Sequence, residues 1–104
     1  MIEIEKWNKE NKSFGLQLPD GWFGRPYDNQ HEITWMQERP NKLIIELDEQ
    51  LFLIFTKPIV IGLSAKDLTI SGFKQLSFDS QGYGDMKAHC NLYRSGVVTF
   101  VSLP

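Results

Sequence analysis

The sequence has few residues that could cross-link the chain or hold a metal ion. It contains a single cysteine, Cys90, so an internal disulfide and a CxxC metal or redox motif are both excluded. Its two histidines, His31 and His89, lack the HxxxH and HExxH spacings, and the adjacent His89 and Cys90 would point to opposite faces of a strand. We therefore expect no metal site, no cofactor and no catalytic cysteine–histidine pair.

An excess of charge of one sign is also lacking. The chain has 11 basic and 13 acidic residues, a net charge of -2 and no basic stripe, so nucleic acid is not expected as a partner. The longest apolar runs are about a quarter of the roughly 20 residues that a membrane span needs. The first seven residues carry two acids and no signal-like apolar segment. These features predict a cytoplasmic protein without a membrane partner.

Long segments with helical periodicity are missing too. Short alternating runs are instead separated by frequent turns, which is typical of all-β proteins. We predict a single all-β domain over residues 1–104, a compact antiparallel sandwich or partly closed barrel of about eight short strands. At most one short helical turn is expected. Residues 64–67 have the spacing of a capping box and could open that turn or form a loop.

The strongest strand signal lies in residues 42–56, two apolar runs separated by Asp48, Glu49 and Gln50. Both runs alternate with a period of two, which predicts a β-hairpin inside a sheet. A three-residue loop gathers six apolar side chains on one face. The predicted pairs are Leu47 with Leu51, Ile45 with Leu53 and Leu43 with Phe55. The other face should also be partly covered, because it carries Ile44, Phe52 and Ile54.

Two further hairpins are predicted near the ends of the chain. Residues 2–7 alternate isoleucine with glutamate and would pair, as an edge strand, with residues 14–18. Residues 87–93 and 97–103 flank a Ser95-Gly96 turn that would set Tyr93 opposite Val98. That register turns four residues toward the core, Cys90, Leu92, Thr99 and Val101. Residues 2–4 or 97–103 could also pair with a second copy, so a homodimer through an edge strand is a further hypothesis.

The richest functional signal is an aromatic segment, residues 19–30, which has too many prolines and glycines for regular structure. Aromatic and arginine side chains on an irregular loop are typical of protein hot spots and of sugar-stacking platforms. In the structural alternative, Trp22 and Tyr27 fold inward as a lid on the core. The binding residues predicted here are Trp22, Phe23, Arg25, Tyr27, Asp28 and Asn29.

A second candidate binding surface lies on the other face of the C-terminal hairpin. It is made of His89, Asn91 and Tyr93, next to Phe100, and mixes polar tips with apolar bodies. The same composition would also suit the half-solvated side of an antiparallel sheet.

Paired acids would be the remaining route to an enzyme. Asp20, Asp28 and Asp85 lie in glycine-containing loops, where a hydrolase could place two carboxylates. Loop aspartates also stabilise turns through hydrogen bonds to the backbone. We expect this structural role and predict that the protein is not an enzyme.

The sequence contains no signature motif of a functional family. Our leading hypothesis is a small bacterial, cytoplasmic, non-catalytic interaction domain of accessory or immunity type, which binds a protein partner through the aromatic segment. The alternative is a module that binds a carbohydrate or small molecule in a pocket lined by Trp22, Tyr27 and Trp35.

Overall fold

The computed structural model describes residues 2–23, 30–80 and 92–103. These residues form one helix and nine strands. The elements are α1 Ile2–Glu10, β1 Phe14–Leu18, β2 Gly21–Trp22, β3 Ile33–Glu38, β4 Lys42–Leu47, β5 Leu51–Thr56, β6 Val60–Leu63, β7 Asp67–Ser71, β8 Gln75–Ser80 and β9 Val97–Ser102. Within these described ranges, no helix is both long and apolar enough to cross a membrane.

Two antiparallel sheets pack face to face as a β-sandwich. The five-stranded sheet has the order β2-β1-β9-β7-β6, and the four-stranded sheet has the order β3-β4-β5-β8. Apolar side chains alternate inward from both sheets and fill the space between them. At the centre, the rings of Phe14 and Phe100 stack with centroids 4.7 Å apart. The predicted all-β sandwich is thus confirmed.

The β4–β5 hairpin lies at the centre of the four-stranded sheet, between β3 and β8. Its register is the predicted one, because the three apolar pairs of the core face form as expected across a three-residue loop. The N–H of Gln50 donates to the Leu47 carbonyl over 3.0 Å. Asp48 and Glu49 both have positive φ, 57° and 59°, so the loop depends on two residues in a conformation uncommon outside glycine.

The N-terminal segment is a helix, so the strand predicted over residues 2–7 and its hairpin with β1 are wrong. Ile4 and Trp7 are buried, whereas Ile2 is 78% exposed. A strand would place Ile2 and Ile4 on one face, but a helix places Ile4 and Trp7 together. Trp7 packs on Phe14, with ring centroids 5.7 Å apart. Burial of this helical face outweighs the short strand pattern, because helix stability in proteins comes mostly from tertiary packing.

Strand β9 lies inside the five-stranded sheet, and this overturns the predicted C-terminal hairpin. Strands β1 and β7 pair with β9 from its two sides. Tyr93 forms a bridge to Leu76 next to β8 instead of pairing with Val98. The face assignment is reversed as well, because Val98 and Phe100 are buried and Leu92 is exposed. Thr99 and Val101 are only partly buried, and Cys90 lies outside the described residues.

The edge strands also differ from those predicted. Among the described residues, the sheets end at β2 and β6, and at β3 and β8. Residues 2–4 are helical and β9 is internal, so neither of the strands named for an edge-to-edge homodimer has a free edge. Residues 64–66 form a loop rather than a helical turn and Asp67 begins β7, and Asp67 N donates to Ser64 Oγ over 3.0 Å.

Truncation of two isoleucines distinguishes the helix from the predicted strand. Ile4→Ala should lower the free energy of unfolding by about 2–4 kcal/mol, because it leaves a cavity in the core. Ile2→Ala should change it by less than about 0.5 kcal/mol, because this side chain is exposed. Urea unfolding followed by circular dichroism measures both values. Equal losses in the two variants would contradict the helix.

Candidate functional site

The predicted aromatic segment includes β2, which places Trp22 on the surface. Gly21 has a φ of 134°, a conformation that residues with L side chains rarely adopt. This glycine lets the chain reverse direction after β1. Trp22 then pairs with Gln17, whose two neighbours in β1 face the core. Trp22 therefore lies on the outer face of the five-stranded sheet, where it is 53% exposed. The lid alternative for this residue does not hold.

Phe23 is the residue that turns inward. Its N–H donates to the Leu16 carbonyl over 2.9 Å, and its side chain is buried. The Phe23 ring packs near the His31 ring, with centroids 5.7 Å apart. Phe23 is therefore a core residue and does not offer a surface to a partner, which corrects its prediction as a binding residue.

Tyr93 lies close to the turn that carries Trp22. The Tyr93 hydroxyl donates to Asp20 Oδ1 over 2.7 Å, and the Tyr93 ring packs edge-on against Phe78 with centroids 6.2 Å apart. This hydrogen bond joins the β1–β2 turn to the neighbourhood of β8 and gives Asp20 a structural contact. The remaining candidates lie outside the described residues: Arg25, Tyr27, Asp28, Asn29, Asp85, His89 and Asn91.

Trp35 lies on the opposite side of the sandwich from Trp22. It pairs with Glu46, whose two neighbours in β4 face the core, so Trp35 points outward from the four-stranded sheet. Its ring meets Phe52 edge-on at a centroid distance of 6.3 Å and is 44% exposed. Because the core separates Trp22 from Trp35, the two do not line a common pocket. This corrects the geometry of the predicted small-molecule site.

The structure also contains a polar pair that the sequence reasoning missed. His31 precedes β3 and exchanges two backbone hydrogen bonds with Phe14, of 2.8 and 3.0 Å, which connect the two sheets. His31 Nδ1 lies 2.6 Å from Asp48 Oδ2, while Asp48 Oδ1 accepts the Glu32 N–H over 3.0 Å. An ionised carboxylate can only accept, so with Asp48 ionised the donor in this contact is the Nδ1–H of His31.

The His31–Asp48 pair lies in an open cleft of about 260 Å³, lined by Lys12, Ser13, Gln30, His31, Glu32 and Asp48. The cleft mixes basic and acidic groups, so it does not select for a ligand of one charge. In the part of the chain that the structure describes, no group of three or more His, Cys, Asp or Glu residues could hold a metal ion. Both Asp48 carboxylate oxygens are engaged by the residues just before β3, His31 and Glu32, so the pair acts as a structural clamp on the β4–β5 loop.

Comparisons with protein-family models, curated proteins and solved structures find no match to this chain. The inference of function therefore depends on its own residues. Of the predicted binding residues that the structure describes, Trp22 is the one with a largely exposed aromatic ring.

Replacement of Asp48 tests the clamp. Asp48→Asn tolerates the positive φ but loses the carboxylate–imidazole contact, so it should lower the free energy of unfolding by about 1–2 kcal/mol. Glu49→Gln is the matched control, because Glu49 also has positive φ in the same loop, and its change should stay within about 0.5 kcal/mol. Urea unfolding of the three proteins gives both differences. If Asp48→Asn is as stable as wild type, the pair does not stabilise the fold.

Proposed function

We propose that this chain is a small bacterial, cytoplasmic, non-catalytic domain of accessory or immunity type that binds a protein partner through the surface around Trp22. The observation that carries the proposal is the 53% exposure of Trp22 on the outer face of a sheet. Covering a large aromatic side chain contributes a few kcal/mol. Tryptophan is also among the residues most enriched in binding hot spots.

The surroundings of Trp22 support a protein partner. Paired residues run across the outer face of the five-stranded sheet from Trp22 through Gln17, Thr99 and Thr69 to Gly62. These side chains are uncharged and, apart from Trp22, short or only moderately long. A side chain at Gly62 would collide with Thr69 Oγ1, which would have to move. An uncharged row on the face of a sheet suits another protein better than a small ligand, which binds in concave pockets.

A comparison of two tryptophan variants tests the proposal. Wild type, Trp22→Ala and Trp35→Ala are immobilised and exposed to an extract of the source cells, and the retained proteins are quantified by mass spectrometry. We expect a protein that wild type and Trp35→Ala retain and that Trp22→Ala loses. Titration calorimetry with the purified partner should then show at least about tenfold weaker binding to Trp22→Ala, the size of a hot-spot effect.

Trp35→Ala is the matched control for a partner other than a second copy of this chain, because it removes the same ring from a site of similar exposure on the other sheet. Urea unfolding must show that both variants fold. Equal retention by Trp22→Ala and wild type, or equal losses in both variants, would overturn the assignment of the binding surface to Trp22.

A further inference from the structure

The outer face of the four-stranded sheet, called here the Ile44 face, is unusually apolar. Outer faces of antiparallel sheets normally carry polar residues, yet Ile44, Phe52 and Ile54 point away from the core and are only partly buried. Trp35 lies beside Phe52 and is 44% exposed. Contiguous apolar residues on an outer face are typical of interaction surfaces.

Three rows of paired residues cross the Ile44 face. The first row is Trp35, Glu46, Phe52 and Asp79; the middle row is Gln37, Ile44, Ile54 and Ser77; the third row is Lys42, Thr56 and Gln75. Arg39 extends the third row, because its N–H donates to the Lys42 carbonyl over 2.8 Å. Its Nε also donates to Gln37 Oε1 over 3.1 Å, which holds the guanidinium near this face.

Charge is divided between the two ends of the Ile44 face. The first row carries the acids Glu46 and Asp79, and the third row carries the bases Lys42 and Arg39. The Glu46 carboxylate is oriented by Thr34, whose Oγ1 donates to Glu46 Oε1 over 2.8 Å. Within the described ranges, Lys42 and Asp79 form no ion pair. When a second copy of this face is rotated so that its strands run antiparallel to those of the first, its basic row lies opposite the acidic row of the first copy. The two faces are then complementary in charge.

We propose that a second copy of this chain binds to the Ile44 face and forms a symmetric dimer with the strands of the two sheets antiparallel. The two-fold axis runs along the middle row, so each strand packs on the same strand of the other copy. The same residues therefore lie on both sides, and the interface is isologous. Lys42 then faces the partner's Glu46, and Arg39 faces the partner's Trp35 in a cation–π contact. The twist of packed sheets, about 30° between strand directions, leaves these rows opposed.

The size of the Ile44 face indicates a weak dimer. Four strands about 4.8 Å apart and six residues about 3.3 Å apart along each strand give a face about 20 Å on a side. Treated as flat, this face has an area of about 400 Å² per copy. Counted over both copies this is about 800 Å², which is below the about 1,200 Å² at which stable specific interfaces begin and lies in the range of weak, transient ones. We therefore expect a dissociation constant in the micromolar range.

Analytical ultracentrifugation of the purified chain tests for self-association. Between about 1 µM and about 1 mM, a range that brackets micromolar dissociation constants, the mass should rise from the 12.1 kDa of the monomer toward twice that value. A constant 12.1 kDa mass at every concentration would overturn the dimer. This experiment uses no other protein, so its result does not depend on the function proposed for Trp22.

Two charge reversals then test the orientation. Lys42→Glu places two acids opposite each other twice in the homodimer, and Glu46→Lys does the same with two bases. Each variant alone should dimerise at least about tenfold more weakly than wild type, because like charges would face each other. An equimolar mixture of the two variants should recover the dimer, because every Lys42–Glu46 contact then joins opposite charges.

Lys66→Glu is the matched control, since it makes the same charge change in the exposed loop between β6 and β7. It should dimerise as wild type does. Circular dichroism checks the fold of each variant, and recovery in the mixture also requires both variants to be folded. If either reversal alone leaves the dimer unchanged, or the mixture does not recover it, the antiparallel dimer is wrong.

Discussion

The alternation of side chains in the β4–β5 hairpin is the constraint on which the rest of the structure depends. A loop longer or shorter by one residue would exchange the inner and outer faces of one strand relative to the other. The core-facing leucines of that strand would then be exposed to solvent, and the core next to the five-stranded sheet would contain a cavity. The contacts of Asp48 with His31 and Glu32 therefore act beyond the loop itself, since they hold the register of the sheet that forms half of the core.

Local features of the fold could be predicted from the sequence, and features that depend on distant contacts could not. The hairpin of residues 42–56 was predictable because its pairing and its loop lie within one short segment. For α1, the Ile2-Ile4 alternation and the Ile4-Trp7 spacing favour different structures, and only burial against Phe14 and Phe100 decides between them. Strand β9 pairs with β1 and β7, which lie far away in sequence, so a plausible local turn gave the wrong neighbour.

The residue types of the candidate site could be predicted from the sequence, but the directions in which their side chains point could not. The aromatic composition of the loop left open whether Trp22 points outward or covers the core, and its separation from the buried Phe23 depends on how β2 pairs with β1. The His31–Asp48 pair has a weaker signal in the sequence than the aromatic segment. This signal is that the two residues flank β3 and β4, consecutive strands that form a hairpin. A bulge between Ile33 and Trp35 shifts the register of β3 by one residue. The sequence carries no visible mark of this extra residue, so the approach of His31 to Asp48 could not be read from strand lengths.

The outward rows of the two sheets have an evolutionary consequence. Along each strand, positions that determine folding alternate one by one with positions that determine contact. A mutation at Gln17 or Ser77 alters what one face touches and leaves the volume of the core unchanged. Because the core lies between the faces, each can acquire new specificity without compensation from the other. The sandwich is thus a scaffold whose two outer faces can diverge, or be redesigned, separately.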